Sequence, residues 1–213
     1  MNNSIFKIIV VQFTQTETWK QRKLSQICDY ADYRGKTPKK VDYGIPLITA
    51  KNIKKGYIDY ECSKEFIEET DYENIMRRGY PEIGDVLITT EAPCGNVAQV
   101  NNPNIALAQR VIKYRAKDRT INNTFLKWFL LSENFQNRIL SLISGGTVGG
   151  IKGSILHQQV VSFPRTEEQI AIANLMENFE LTITLHQRQA LSIDQKENLS
   201  MENRFNVKRH YRS

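Results

Sequence analysis

The segment Gly145-Gly146-Thr147-Val148-Gly149-Gly150-Ile151-Lys152-Gly153-Ser154 is the part of the chain whose composition most invites chemistry, because successive amides in a glycine-rich loop can cradle an oxyanion. Its spacing does not fit. A P-loop needs Gly directly before Lys and then Ser or Thr, whereas Ile151 precedes Lys152 and Gly153 follows it. No G-x-G-x-x-G register exists there either. His157, His186 and His210 stand alone, away from any paired cysteine, which argues against a zinc site. The acidic residues form no compact Asp…Glu-x-Lys set of the kind that grips a nuclease metal. Asn102-Pro103-Asn104-Ile105 is not the Asn/Asp-Pro-Pro-aromatic motif with which amino-methyltransferases hold an extruded base. Autonomous nuclease or methyltransferase activity is therefore the weaker of the enzymatic and binding readings.

Charge says more. The 213 residues carry 29 Lys+Arg and 23 Asp+Glu, a formal +6. Residues 1–165 hold 23 basic and 16 acidic side chains, residues 166–203 hold 2 and 7, and residues 204–213 add four cations. A basic globular part thus precedes an acidic helical one, a balance that suits a polyanionic partner for the first part and equally describes two ordinary solvated surfaces. Cys28, Cys62 and Cys94 form no C-x-x-C pair and follow no signal-peptide pattern, so structural thiols in a reducing cytoplasm are expected. The apolar run at residues 5–11 is far shorter than the ~20 residues of a membrane span and reads as an extra strand or extension.

The elements that must position any site follow from hydrophobic periodicity. Short β-branched runs at residues 45–48, 86–90, 96–100, 111–115 and 160–163, punctuated by Gly and Pro, read as strands. Asn122, Asn123 and Thr124 offer caps for one helix whose recurring stripe is Phe125, Trp128, Phe129, Ser132, Phe135, Ile139 and Leu142. Residues 64–78 read as a shorter helix ending at Gly79. After Pro164, Thr166-Glu167-Glu168-Gln169 has the form of a capping box, with Gln169 reaching back to the helix start. A seam at Ile172, Met176, Phe179, Ile183, His186, Ala190 and Ile193 then alternates steps of four and three, as in a coiled coil. A helix of about 38 residues extends about 57 Å and needs another helix beside it. The alternative is a helix folded back on its own domain. The fold class expected is α+β: an N-terminal extension (1–18), a mixed domain (19–164), a long coiled-coil-forming helix (165–203) and a basic tail (204–213).

The order of Trp19-Lys20-Gln21-Arg22-Lys23-Leu24, Gly44-Ile45-Pro46-Leu47-Ile48-Thr49-Ala50-Lys51-Asn52-Ile53 and Gly84-Asp85-Val86-Leu87-Ile88 closely resembles the specificity subunits of Type I restriction-modification systems. So do Gly146-Thr147-Val148, Val160-Val161-Ser162-Phe163-Pro164, Glu167-Glu168-Gln169-Ile170-Ala171 and Ile183-Thr184-Leu185-His186-Gln187-Arg188. The resemblance covers about residues 17–203; the flanking ends lack the family look. It implies a non-catalytic target-recognition domain and spacer helix that bind double-stranded DNA and dock methyltransferase and restriction subunits. It also implies that S-adenosylmethionine and ATP belong to those partners, with no cofactor on this chain. Family members usually carry two recognition domains and two spacer helices. One of each implies either a homodimer through the seam, with a bipartite palindromic target, or a truncated or split subunit.

Within that reading, phosphate contacts position and base-edge contacts specify. Lys36, Lys39, Lys40, Lys54, Lys55 and Lys152 are the candidate phosphate clamps, and each is also an ordinary solvated lysine. Arg34, Lys51, Asn52, Thr90, Gln109, Arg110 and Thr147 are the candidate base readers, because forked or planar polar groups suit base edges. Arg110 could equally pair with Asp85 or Glu91. Glu177, Glu180 and Glu197 form an acidic helix face open to the methyltransferase partner or simply to water. The rival to DNA recognition is a DNA-free coiled-coil adaptor, which the basic first part argues against.

Overall fold

The structure, a computed structural model, describes residues 19–35, 37–143 and 149–210, with side chains through residue 190. In chain order the elements are β1 (Lys20–Lys23), α1 (Leu24–Ile27), β2 (Cys28–Asp32), β3 (Ile45–Ile48), β4 (Phe66–Ile67), α2 (Glu69–Met76), β5 (Val86–Thr89), β6 (Val97–Gln99), β7 (Ala106–Leu107), β8 (Val111–Ala116), α3 (Asn123–Leu131), α4 (Glu133–Ser141), α5 (Gly153–His157), β9 (Val160–Phe163) and α6 (Thr166–His210). The chain divides into two units, the first ending at Ala173 and the second beginning at Asn174. The expected strand at residues 5–11 lies outside the described residues.

The β-branched runs do form the sheets. An antiparallel sheet has the order β2-β8-β5-β6, a second has the order β4-β3-β7 with β3 and β7 parallel, and β1 pairs antiparallel with β9. All four residues of β5 are buried, which explains why that strand reads as a continuous apolar run instead of an alternating one. Leu87 joins Ile48, Ile53, Ile67, Met76, Ala98, Ile105 and Leu107 in one core. On β5 and β6 also packs α3, bringing the fully buried Phe125 and Leu126.

Three expectations about helices change. The single helix expected from Asn122 to Leu142 is two, because Ser132 takes an extended conformation (φ −62°, ψ 146°) that ends α3 and caps α4. Its hydroxyl donates to Phe129 O at 2.6 Å and accepts from Phe135 N at 3.4 Å. A serine can satisfy both helix ends where a larger apolar residue would leave them bare. Residues 64–78 hold β4 before α2, which is shorter than expected. Helix α6 runs on through His210, so residues 204–210 are helical and not a separate tail.

The capping box is also corrected. Gln169 is 1% exposed and its amide, instead of accepting from the backbone at its helix start, bridges Pro164, just before that start, to the connection leading into α3. It donates to Pro164 O at 2.8 Å and Thr120 O at 3.3 Å, and accepts from Asn122 N at 2.7 Å. Ile172 and Ala173 are buried beside it in sequence, so the first turns of α6 belong to the core of the first unit. Among the described residues no helix is long and apolar enough to cross a membrane.

Candidate nucleic-acid interface

The register gathers the ends of several strands. Asp32 closes β2 opposite Ile112, and Thr89 closes β5 opposite Val111, so the residues after β2, after β5 and before β8 share one end of the four-stranded sheet. Strand β6 opens at the same end, with Val97 opposite Ile88. Parallel β3 and β7 bring Ile48 beside Leu107, and Ala108 N donates to Ile48 O at 2.9 Å just before β8 begins. Arg34, Lys51, Asn52, Thr90, Gln109 and Arg110 all lie in the connections at this end. Lys36 and Thr147 lie outside the described residues.

Lys152 is brought there by the glycines around it. Ile151 N donates to Thr90 O at 3.0 Å, tying the junction before α5 to the end of β5. A Cβ on Gly150 would stand 2.9 Å from Thr90 O and 2.4 Å from the Glu91 side chain. One on Gly153 would stand 2.6 Å from Arg34 Nη2 and 2.9 Å from Asp32 Oδ2. Gly150 and Gly153 therefore serve close backbone approach to the strand ends, which is a different use of glycine from a phosphate cradle.

Two guanidinium groups are held at this end by carboxylates. Arg34 Nε donates to Asp32 Oδ2 at 2.8 Å and its Nη2 to the same oxygen at 2.5 Å. That hydrogen-bonded pairing raises the Arg34 pKa above its usual value. Arg78 Nη1 braces the turn by donating to Asp32 O at 2.6 Å and Arg34 O at 2.8 Å. Arg110 Nε meets Glu91 Oε2 at 3.2 Å, which resolves the choice between Asp85 and Glu91. The Arg34 and Arg110 side chains remain 46% and 51% exposed, so each presents an oriented fork to solvent. Lys51 and Lys152 are exposed at the same end.

Two candidate base readers are corrected. Asn52 is fully buried and its amide is spent inside the loop. Its Oδ1 accepts from Thr49 N at 3.0 Å and Thr49 Oγ1 at 2.8 Å, and its Nδ2 donates to Asp59 O and Ser63 O at 2.9 Å each. Thr90 is 2% exposed and its hydroxyl donates to Arg110 O at 3.3 Å. Both shape the loops and offer no edge to a base. Asp32 and Arg78, which aim the Arg34 guanidinium, were not singled out from sequence, since only the folded register brings Arg78 to Asp32.

Asp85 belongs instead to an internal network. It is 1% exposed and accepts from Arg115 Nε at 2.7 Å, Arg115 Nη2 at 2.8 Å and Glu82 N at 2.9 Å, with Lys113 Nζ at 3.2 Å. Behind the Asp32 and Arg34 pair, His157 stacks on Tyr30 with ring centroids 3.6 Å apart, and its Nδ1 lies 2.7 Å from Tyr114 Oη. Burial lowers the His157 pKa. Among the described residues no three His, Cys, Asp or Glu side chains are placed to hold a metal.

Comparison with known families reaches the same region of the chain. Residues 16–195 match the family model described as Type I restriction modification DNA specificity domain. The chain belongs to that family. This specificity domain is 29% identical over 167 residues to the Type I restriction enzyme MjaIX specificity subunit of Methanocaldococcus jannaschii, covering 76% of this chain and 38% of that protein. It is 26% identical over 206 residues to the MjaVIII specificity subunit of the same organism, covering 90% and 47%. The chain thus spans less than half the length of these curated relatives. The crystal structure of the Type I restriction-modification S subunit from M. genitalium shares its fold, with a TM-score of 0.58 at 17% identity over 79% of this chain and 40% of that one.

The helix residues expected to meet a partner divide. Ile172, in the first unit, is 0% exposed and is therefore not open to another helix. In the second unit Phe179 is 38% exposed, Ile183 is half-buried and Ala190 is exposed. The Ile193 side chain lies outside the described residues. Leu181 and Leu185, 57% and 54% exposed, are large apolar groups off the expected seam.

Proposed function

We propose that this chain reads the sequence of double-stranded DNA as the specificity component of a Type I restriction-modification system. The observation that carries this reading is the convergence of Arg34, Lys51, Gln109, Arg110 and Lys152 at one end of the sheets, with Arg34 and Arg110 presented as oriented guanidinium forks. Such forks suit guanine O6 and N7, while the lysines neutralise phosphates. Residues 19–164 serve as the reading domain. The catalytic steps fall to methyltransferase and restriction subunits, which supply S-adenosylmethionine and ATP chemistry, and this chain acts without a cofactor of its own.

The helix offers the docking element. Phe179, Ile183 and Ala190 on the seam are accessible to a second helix, and pairing two copies through them presents two equal reading domains to a two-fold DNA target. Selection from a pool of short duplexes with a randomised centre tests the proposal. The expected result is enrichment of a defined motif, with affinity that falls as salt rises. Equal retention of every sequence, or binding indifferent to salt, overturns it.

A further inference from the structure

A narrow hairpin that carries two of the candidate phosphate clamps, Lys54 and Lys55, lies on the flank of the reading end. Ile53 bridges Ile58, and Lys54 N donates to Tyr57 O at 2.9 Å, leaving Lys55 and Gly56 at the tip. The hairpin is fixed to the opening of β6: Gly56 N donates to Val97 O at 2.8 Å, and Asn96 Nδ2 donates to Ile53 O at 2.7 Å. Ile53 and Ile58 are 0% and 7% exposed and fill the core, whereas Tyr57, in the turn between them, is 58% exposed.

An aromatic ring held open to water, on a rigid hairpin with Lys54 and Lys55 beside it, has the chemistry of a nucleic-acid contact. The ring offers apolar surface and the ammonium groups offer charge to phosphates. Position supports this. Asn96 and Val97 lie at the same end as Thr90 and Arg110, so Arg34 on the β2 flank and Tyr57 on the β6 flank bracket the sheet. Three strand spacings separate those flanks by about 14 Å, the rise of about four base-pair steps.

We infer that Tyr57 packs its ring on the sugar and base surface of a DNA groove, with Lys54 and Lys55 on the flanking phosphates, and thereby sets one boundary of the stretch of DNA that this domain reads. This rests on the DNA-reading proposal. The two kinds of contact separate by salt, because apolar packing is indifferent to ionic strength while each neutralised phosphate steepens the fall of log affinity with log salt by about 0.9.

The test measures affinity of the full chain for the duplex enriched from the randomised pool, across a salt series, for wild type, Tyr57→Ala, Tyr57→Phe and the double variant Lys54→Ala with Lys55→Ala. Tyr57→Ala should bind at least about 5-fold more weakly at every salt concentration with an unchanged slope, through loss of buried apolar surface. Tyr57→Phe should bind within about twofold of wild type, since the ring persists. The lysine double variant should lower the slope by about 1.8. Wild-type affinity in Tyr57→Ala, or an equal loss in Tyr57→Phe, overturns the assignment of the ring. Failure of the wild-type chain to select any duplex removes the DNA-reading proposal itself, so the two failures are distinct.

Discussion

Gln169, in the first turn of the long helix, accepts a hydrogen bond at 2.7 Å from the backbone amide of Asn122, the residue that caps α3. Asn122 Oδ1 in turn accepts from Phe125 N at 2.9 Å. One buried amide thus fixes the start of α6 to the start of the helix that packs behind β5 and β6. Replacing Gln169 with Leu leaves the Asn122 amide and the carbonyls of Thr120 and Pro164 without these partners. We expect a loss of about 2–4 kcal/mol, read as a fall in thermal midpoint, whereas a loss below about 0.5 kcal/mol would show that water replaces the amide.

Asn52 should behave as a stability residue. Four hydrogen bonds to Thr49, Asp59 and Ser63 organise the loop that presents Lys51 and Tyr57. Asn52→Ala is expected to cost about 2–4 kcal/mol in denaturant unfolding while leaving the selected DNA sequence unchanged. A changed sequence preference at full stability would return Asn52 to the base readers.

Arg110 tests the opposite case. Its guanidinium is half exposed and held from one side by Glu91. If it reads a base, Arg110→Ala costs about 1–3 kcal/mol of discrimination at one position of the target. Stability should move little, because exposed ion pairs contribute about 0–1 kcal/mol. Uniform weakening on every sequence would assign it to a phosphate.

The contrast among these residues marks how far the sequence carries. Val86 to Thr89 and Val111 to Ala116 are legible as strands because β-branched runs between turns have few other uses. The α3 and α4 break is not legible, since Ser132 sits inside an unbroken apolar period and acts as a double cap only in context. Polar loop residues are the hardest. Asn52 and Gln109 look alike in sequence, and only tertiary burial sends one amide into the loop. Tyr57 is not singled out from sequence either, because nothing in the order Lys55-Gly56-Tyr57-Ile58 shows that the ring is left open while Ile53 and Ile58 are buried. The resemblance to the specificity family, by contrast, rests on the order of short motifs and is readable without coordinates.

The Asp85 network should respond asymmetrically. Asp85→Ala strands Lys113, whose side chain is 7% exposed, and removes the Arg115 fork, at an expected cost of about 3–5 kcal/mol. Lys113→Met should cost far less, since burial outweighs the attraction of Asp85 and lowers the lysine pKa. The unfolded chain binds the Lys113 proton more tightly, so this group adds stability as pH rises from its folded pKa toward 10.5. The difference between wild-type and Lys113→Met stability across that alkaline range should show the gain, and parallel curves would place the ammonium in water.

His157 gives the same sign at a lower pH. Burial holds its folded pKa below the ordinary 6.5, with Arg34 adding to that effect and Asp32 opposing it. The unfolded state therefore binds more protons in the window below 6.5, and stability falls on acidification until the folded pKa is passed. The slope in that window is at most about 1.4 kcal/mol per pH unit for one group. Unfolding free energies of wild type and His157→Gln, compared from neutral pH down through and below 6.5, should diverge in this direction, with wild type losing more stability on acidification. Because His157 stacks on Tyr30 behind the Asp32 and Arg34 pair, DNA affinity measured over the same range should weaken more in wild type than in His157→Gln if imidazolium formation loosens that stack. Superimposable stability curves would mean that the ring takes up its proton without leaving its partners.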